Sequence, residues 1–351
     1  MTKVSKARLV VTRGEILAFR RRSGGLAARV PLSEDSLRRA AWAGLQDSMP
    51  RAALLSIHAR VEDAGPSAWE DPSLVQLWGP RYSVFVVAAR DIAVFTLSRL
   101  PDDAKGRRRA EDLAARLHEL LDGRRMSYAE AGLALGEHHY SLRYAATTGT
   151  VLIRWEGARR PDVWTVPRPR IDPGEARQEL ARRYLHIYGP TSTESFALWA
   201  GITGRSAIAT FGDLRGSLLP VSTPNGDVWL LAEDEAAIRA DPEPASGVRL
   251  LPSGDAYLLL QGADRDLVVP DAARRSELWT PRVWPGGLLV DGEVAGTWRR
   301  ADTVLTVQPW RRLAPAEREA VVAEAESLPL PGAGRAPGAG RAMTVRWSGP
   351  D

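Results

Sequence analysis

Twice in succession the chain spells three helical segments and then two alternating strands around a turn, and this repeated order limits the architectures open to it. In the first copy, RRRAEDLAARLHELLDG carries Leu113, Leu117, Leu120 and Leu121 on one stripe and stops at Gly123. SYAEAGLAL and EHHYSLRYAATTG read as two shorter helices, the second ended by Gly149, and TVLIRW and DVWTVP alternate as strands around EGARRP. In the second copy, DPGEARQELARRYLHIYG places Leu180, Tyr184, Leu185 and Tyr188 on one face, and TSTESFALWAG and TGRSAIATFGDLRG follow as helices. LLPVSTPNGDVWLLA then turns at Asn225-Gly226, a pair that accepts the positive φ angles a tight hairpin needs. Three helices followed by a β-ribbon is the winged-helix order, a helix-turn-helix variant whose third helix reads DNA and whose ribbon is the wing.

A less regular copy precedes these two. Residues 8–30 read as a helix and its exit. Ser33 is an expected N-cap for SEDSLRRAAWAGLQD, Pro50 an expected first residue of PRAALLSIHARV, DPSLVQLW a short helix, RYSVFVVA a strand, and ARDIAVFTLSRLP a helix. Past the repeats, VRLLPSG, DAYLLLQG, GLLVDGEVAGTWRR and TVLTVQPW are strand-like, APAEREAVVAEAESL closes with a helix, and the Pro/Gly/Ala-rich end reads as a disordered tail. The expected class is α+β and mainly helical. It comprises three tandem winged-helix units over 8–103, 104–170 and 171–240, a small β-rich C-terminal domain over 247–328, and the tail 329–351.

Charge points to a partner. Only Lys3, Lys6 and Lys105 are lysines, so 44 of the 47 basic residues are arginines. A GC-rich genome explains abundance but not placement: residues 1–30 sum to +7 and 138–170 to +4, whereas 171–330 sum to −7. Basic segments on an acidic body suit a polyanion, and arginine grips phosphate bidentately. Double-stranded DNA is the expected partner, bound by a monomer. The absence of cysteine removes disulfides and thiolate metal sites and fits a reducing cytoplasm. No stretch has the length and apolarity of a signal peptide or bilayer span, so a cytoplasmic, nucleoid-associated protein with no membrane contact is expected.

Many catalytic signatures are missing from the sequence. It has no P-loop, no G-x-G-x-x-G after a strand, no G-x-S-x-G and no H-E-x-x-H. Neither metal nor cofactor is expected. Two stretches remain. In GLQDSMPRAALLSIHARV, Gln46, Asp47 and Ser48 cluster before Pro50, as catalytic groups or as the capping polar groups of a helix C-terminus. In EHHYSLRYAATTGTVLIRWEGARRPDVW, Tyr140, Arg143 and Tyr144 share a helix face, and Arg159 and Arg160 sit at the hairpin tip. With His139, Arg154 and Arg81 they form the expected DNA-contacting set, the alternative being a solvated charged loop beside packed tyrosines.

These stretches, with WGPRYSVFVVAARDIAVFTLSRLP, GPTSTESFALWAGIT, LLPSGDAYLLL and LLVDGEVAGTWRR, resemble the winged-helix superfamily of AlkZ-like and YcaQ-like bacterial DNA glycosylases over roughly residues 12–328. The resemblance implies three winged helices around a concave basic channel and a C-terminal β domain. It also implies excision of bulky N7-alkylated purines or unhooking of interstrand crosslinks, in some members as self-resistance to alkylating natural products. The family's catalytic element is Gln–aliphatic–Gln or Gln–aliphatic–Asp, and here it reads Gln46-Asp47-Ser48. An N7-alkylated purine is cationic and already a good leaving group, so a glutamine carbonyl that holds a water can suffice. The resemblance thus implies a monofunctional glycosylase with Gln46 as the water-positioning group, Asp47 or Ser48 assisting. A non-catalytic winged-helix DNA-binding or regulatory protein, with a degenerate motif, is the alternative.

Overall fold

The computed structural model describes residues 8–49, 51–157, 161–241, 245–330 and 343–349, and its architecture is mixed α+β. A short strand β1 (Leu9–Val10) leads into α1 (Arg13–Ser23), opened by a Thr12–Glu15 capping box. Helix α2 (Glu34–Ala40) has the N-cap Ser33. It is shorter than its pattern suggested: it ends at its C-cap Ala41, a turn leads to Gly44 at φ 77, and Leu45–Gln46 form strand β2. Helix α3 (Ala52–His58) begins after Arg51, which is held at φ 66, and the expected start at Pro50 lies outside the described residues. The run read as a short helix, DPSLVQLW, is instead strand β3 (Leu74–Trp78), because its apolar residues pair antiparallel with β4 (Val84–Ala88). The three strands lie in the order β2-β4-β3, with Gln46 opposite Phe85. Helix α4 (Ile92–Thr96), flanked by single 3-10 turns, closes this part.

Helix α5 (Ala104–Leu121) follows its N-cap Asp103 and buries Leu113, Leu117 and Leu121. Then come β5 (Met126–Ser127), α6 (Tyr128–Ala134), α7 (Leu142–Ala145) and the hairpin β6 (Val151–Arg154) and β7 (Asp162–Thr165), in sheet order β5-β7-β6. Helices α8 (Pro173–Tyr188), α9 (Thr193–Ala200) and α10 (Gly204–Asp213) begin at the caps Asp172, Ser192 and Thr203. They pack through buried Tyr184, Tyr188, Phe196, Trp199 and Phe211, whose rings contact one another. The hairpin β8 (Leu218–Thr223) and β9 (Gly226–Leu231) pairs Thr223 with Gly226, so it turns on Pro224-Asn225, one position before the expected Asn225-Gly226, and it takes β1 as a parallel third strand. Helix α11 (Glu235–Arg239) follows.

The C-terminal sheet runs β10 (Val248–Leu251), β11 (Gly286–Val290), β12 (Glu293–Ala301) and β13 (Val304–Pro309), flanked by α14 (Pro315–Ser327). DAYLLLQG, read as a strand, forms a 3-10 turn at Ala256–Leu258, and α12 (Asp264–Val268) and α13 (Ala272–Leu278) intervene before β11. The expectation of a disordered tail does not hold at its far end, where β14 (Thr344–Trp347) pairs parallel with β13. Buried ion pairs tie distant segments together. Arg20 in α1 meets Asp264 at 2.7 Å, and Arg60 after α3 grips Asp255 through two guanidinium nitrogens at 2.7 and 2.9 Å. Burial alone would raise the Asp255 carboxyl, but Arg60 beside it holds it below the ordinary value. The turn Pro252–Asp255 is thereby fixed against the first part of the chain. Among the described residues no helix is long and apolar enough to cross a membrane, and no cluster of three His, Asp or Glu could hold a metal.

Candidate nucleic-acid interface

Gln46 sits on β2, half-buried between two walls. On one side its side chain packs on Gly254, where an added Cβ would lie 3.3 Å from Gln46 Nε2. On the other, Arg81 Nη2 donates to Gln46 Oε1 at 3.0 Å. Arginine can only donate, so this bond fixes which end of the glutamine amide is oxygen. Arg81 Nη1 donates to the Trp199 carbonyl at 2.7 Å, so the guanidinium bridges α9 and β2.

The loop that presents Arg81 is strained. Arg81 and Tyr82 both adopt left-handed backbone, at φ 54 and 56, a conformation that costs non-glycine residues of order 1 kcal/mol each. The surroundings hold it. Tyr82 N–H donates to Gly79 O at 3.0 Å, and Gly201, at φ 70, lets the α9 C-terminus approach so closely that a Cβ there would meet Arg81 Cα at 3.0 Å. The Tyr82 ring lies 4.3 Å from the Arg99 guanidinium and meets Tyr144 edge-on at 5.1 Å. Arg99 is buried, with its guanidinium on the carbonyls of Gly79 and Ala200, and burial pushes its pKa down to about 10.

From Tyr82 the same cluster continues to the surface. Arg143 lies 5.5, 5.9 and 5.7 Å from the rings of Tyr82, Tyr140 and Tyr144, and its buried Nε finds no acceptor among the described residues. Arg109 also lies over the Tyr144 ring, at 5.3 Å. His138, His139 and Tyr140 stack in sequence at 4.4 Å centroid separations, and Tyr140 is 56% exposed. The strained pair Arg81-Tyr82 therefore joins two groupings, Arg81 bonded to Gln46 on one side and the Tyr82 ring against Tyr144 and Arg143 of α7 on the other.

Asp47 and Ser48 take other directions. Asp47 is buried: its Oδ1 accepts from Ala53 N–H at 3.0 Å, capping α3, and its Oδ2 accepts from Gln76 Nε2 at 2.7 Å. Gln76 in turn pairs with both backbone groups of Trp155, which links β3 to the end of β6. Burial raises the Asp47 carboxyl to about 6 against these hydrogen bonds, which lower it. Ser48 is exposed. The motif is thus extended chain rather than a helix end, and its residues do not converge.

Arg154 is engaged within the protein, paired with Glu70 and lying 4.0 Å over the ring of Trp69, which Arg51 covers at 4.4 Å. Arg159 and Arg160 lie outside the described residues. Sequence reasoning missed Gln76, Tyr82, Arg99 and the Gly254 turn. The run Trp78-Gly79-Pro80-Arg81-Tyr82 was its nearest signal, but nothing in it announces two left-handed residues.

Residues 38–329 match the family described as DNA glycosylase AlkZ-like. Over 143 residues the chain is 32% identical to the interstrand DNA cross-link repair glycosylase of Streptomyces sahachiroi, a match covering 40% of this chain and 38% of that protein's length. The solved structure of Streptomyces sahachiroi DNA glycosylase AlkZ is similar with a TM-score of 0.77 at 19% identity, covering 97% of this chain and 100% of that one, which establishes the shared fold. With the family match running over most of its length, the chain belongs to the AlkZ-like DNA glycosylases.

Proposed function

We propose that this protein hydrolyses the N-glycosidic bond of N7-alkylated purines, or of crosslinks built on them, in duplex DNA. The observation that carries the reading is the strained pair Arg81-Tyr82, which joins Gln46 on one side to the arginine–tyrosine surface of α7 on the other. Aromatic faces and guanidinium groups are what a distorted strand and its phosphates require. In this reading 104–170 and 171–240 are winged-helix units, each with three helices and then a hairpin, and 8–103 is a third. The strand orders β2-β4-β3 and β5-β7-β6 support that division, as does the third strand that β1 adds to the last unit. Tyr140, Arg143 and Tyr144, with His139, face the DNA, and Arg159 and Arg160 belong to the wing.

The Gln46 carbonyl keeps a second lone pair beside the one Arg81 occupies, and that pair positions the attacking water. Asp47 supports the site by capping α3 and does not touch the reacting atoms. Among the described residues Arg81 is bonded to the Gln46 side chain and no carboxylate is, an arrangement that suits a leaving group that is already cationic. Among the described residues the only lysine is Lys105, in the first turn of α5, and none is bonded to Gln46 as lysine-based strand cleavage would need.

One observation favours a second reading, a non-catalytic DNA binder: Gln46 is already bonded and Asp47 is committed to the protein interior. Incubation with a duplex carrying a single N7-methylguanine separates the two. Base release that leaves the strand intact until alkali is added is expected. Retention of the base under both alkaline and neutral work-up moves the reading to the binder, and covalent trapping with borohydride overturns the mechanism.

A further inference from the structure

Where α1, α2 and α8 meet, the protein forms an open-sided cavity of about 350 Å³ whose lining does not include Gln46, within the size range of small-molecule sites. Four arginines line it, Arg22, Arg39, Arg60 and Arg90, together with Trp42 and His186, and its lining includes no Asp or Glu.

The six do not play equal parts. Arg60 is neutralised by Asp255, and Arg22 donates to the Ala237 carbonyl at 2.6 Å. His186 binds Asp234 through Nδ1 at 2.8 Å and meets Trp42 edge-on at 5.0 Å, which sets both rings as a wall. Trp42 is held by Arg183, which donates to its carbonyl at 3.1 Å and lies 5.4 Å over its ring while paired with Asp91. That pairing also takes up the carboxylate next to Arg90 in sequence. Arg39, in the last turn of α2, and Arg90, in the turn before α4, are left with exposed guanidinium groups that have no ion-pair or hydrogen-bond partner among the described residues. Two unpaired cations at one concavity repel each other until an anion joins them, and the guanidinium fork matches phosphate oxygens. An indole wall beside them suits a planar ring.

We propose that this cavity binds a phosphate ester bearing a nucleobase, with Arg39 and Arg90 on the phosphate and Trp42 against the base. The ester is either a free mononucleotide or one nucleotide of a bound DNA strand. The proposal goes beyond the hydrolytic reading and does not depend on Gln46.

Calorimetric titration of the full chain with deoxyguanosine monophosphate, deoxyguanosine and inorganic phosphate tests it. Arg39→Gln/Arg90→Gln is the charge variant and Trp42→Leu the stacking variant; thermal unfolding checks that both remain folded. A free-nucleotide site gives binding of the monophosphate over the nucleoside, weakened at least tenfold in the double variant. If no mononucleotide binds, a strand-nucleotide site gives a shallower salt dependence of duplex binding in the double variant, by about two units in log–log slope. Mononucleotide binding unchanged by the double variant, or neither mononucleotide binding nor a changed duplex slope, overturns the proposal.

Discussion

Replacing Asp47 with Asn should make the stability of this protein respond to pH in the opposite sense to most carboxylate substitutions. Both Asp47 oxygens face donors, Ala53 N–H and Gln76 Nε2. The Gln76 amide cannot turn over, because its Oε1 accepts from Trp155 N–H at 2.7 Å. Against the ionised wild type the Asn variant therefore points an NH2 at another donor and loses about 1–3 kcal/mol. A pH-dependent part is superimposed. Burial lifts the folded-state carboxyl from 3.8 to about 6. The native state then holds the proton more tightly than the unfolded chain. The contribution of Asp47 is full below the unfolded value and declines as pH rises through the folded one. A carboxyl held that far above its ordinary value binds its proton more tightly in the folded state by about 3 kcal/mol. The wild type's advantage over the Asn variant should thus shrink by about 2 kcal/mol between about pH 4, where part of that difference is already spent, and neutrality. Urea unfolding followed by circular dichroism at half-unit pH intervals measures the gap, and the difference between the two proteins cancels every other titrating group. A gap that stays constant, or widens toward neutral pH, would refute the burial argument. Base release by the folded Asn variant near neutral pH should persist, since Asp47 is placed away from the reacting atoms.

Other substitutions probe neighbouring parts of the same framework. Gln46→Ala should abolish base release while changing unfolding free energy by about 1 kcal/mol, the worth of its bond to Arg81; a collapse in stability with activity retained would make Gln46 structural. Arg143→Met should weaken duplex binding on all sequences alike and lower the log–log salt slope by about one unit, read by fluorescence anisotropy across a salt series. Gly44→Ala forces a side chain at φ 77 to within 2.7 Å of the Phe95 ring and 2.9 Å of Phe85, two residues before Gln46, so a loss of about 2 kcal/mol or more is expected in urea unfolding. Asp255→Asn leaves the Arg60 guanidinium buried without its counter-charge, and a loss of about 3–5 kcal/mol should appear in the same assay.

What could be read along the chain was the locally determined part. Ser33, Ser127, Asp172, Ser192 and Thr203 cap helices because their side chains reach backbone N–H groups two or three residues on, and the hairpin marked by Asn225-Gly226 forms, with its turn one position earlier on Pro224-Asn225. The misread segments are those where partners distant in sequence decide. Leu74–Trp78 is an apolar run that suits helix or strand, and pairing with Val84–Ala88 settles it. Thr344–Trp347 becomes a strand because β13 offers an open edge.

The same division runs through the site. Gln46 and Arg81 are 35 positions apart, and their bond depends on a strained loop and on Gly201, neither visible in a pattern of residue types. Asp47 is the instructive case. In the family pattern the chain resembles, the middle position of the motif is aliphatic, and here too it is a buried position. The acid there fills an interior place and caps α3, so its charge reports on packing rather than on a displaced catalytic base. A motif that looks degenerate when written as three letters is, in space, one polar residue turned toward Arg81, one turned into the protein and one in solvent. In the proposed reading its chemistry rests on Gln46 alone, which is why that reading names a cationic leaving group as the substrate.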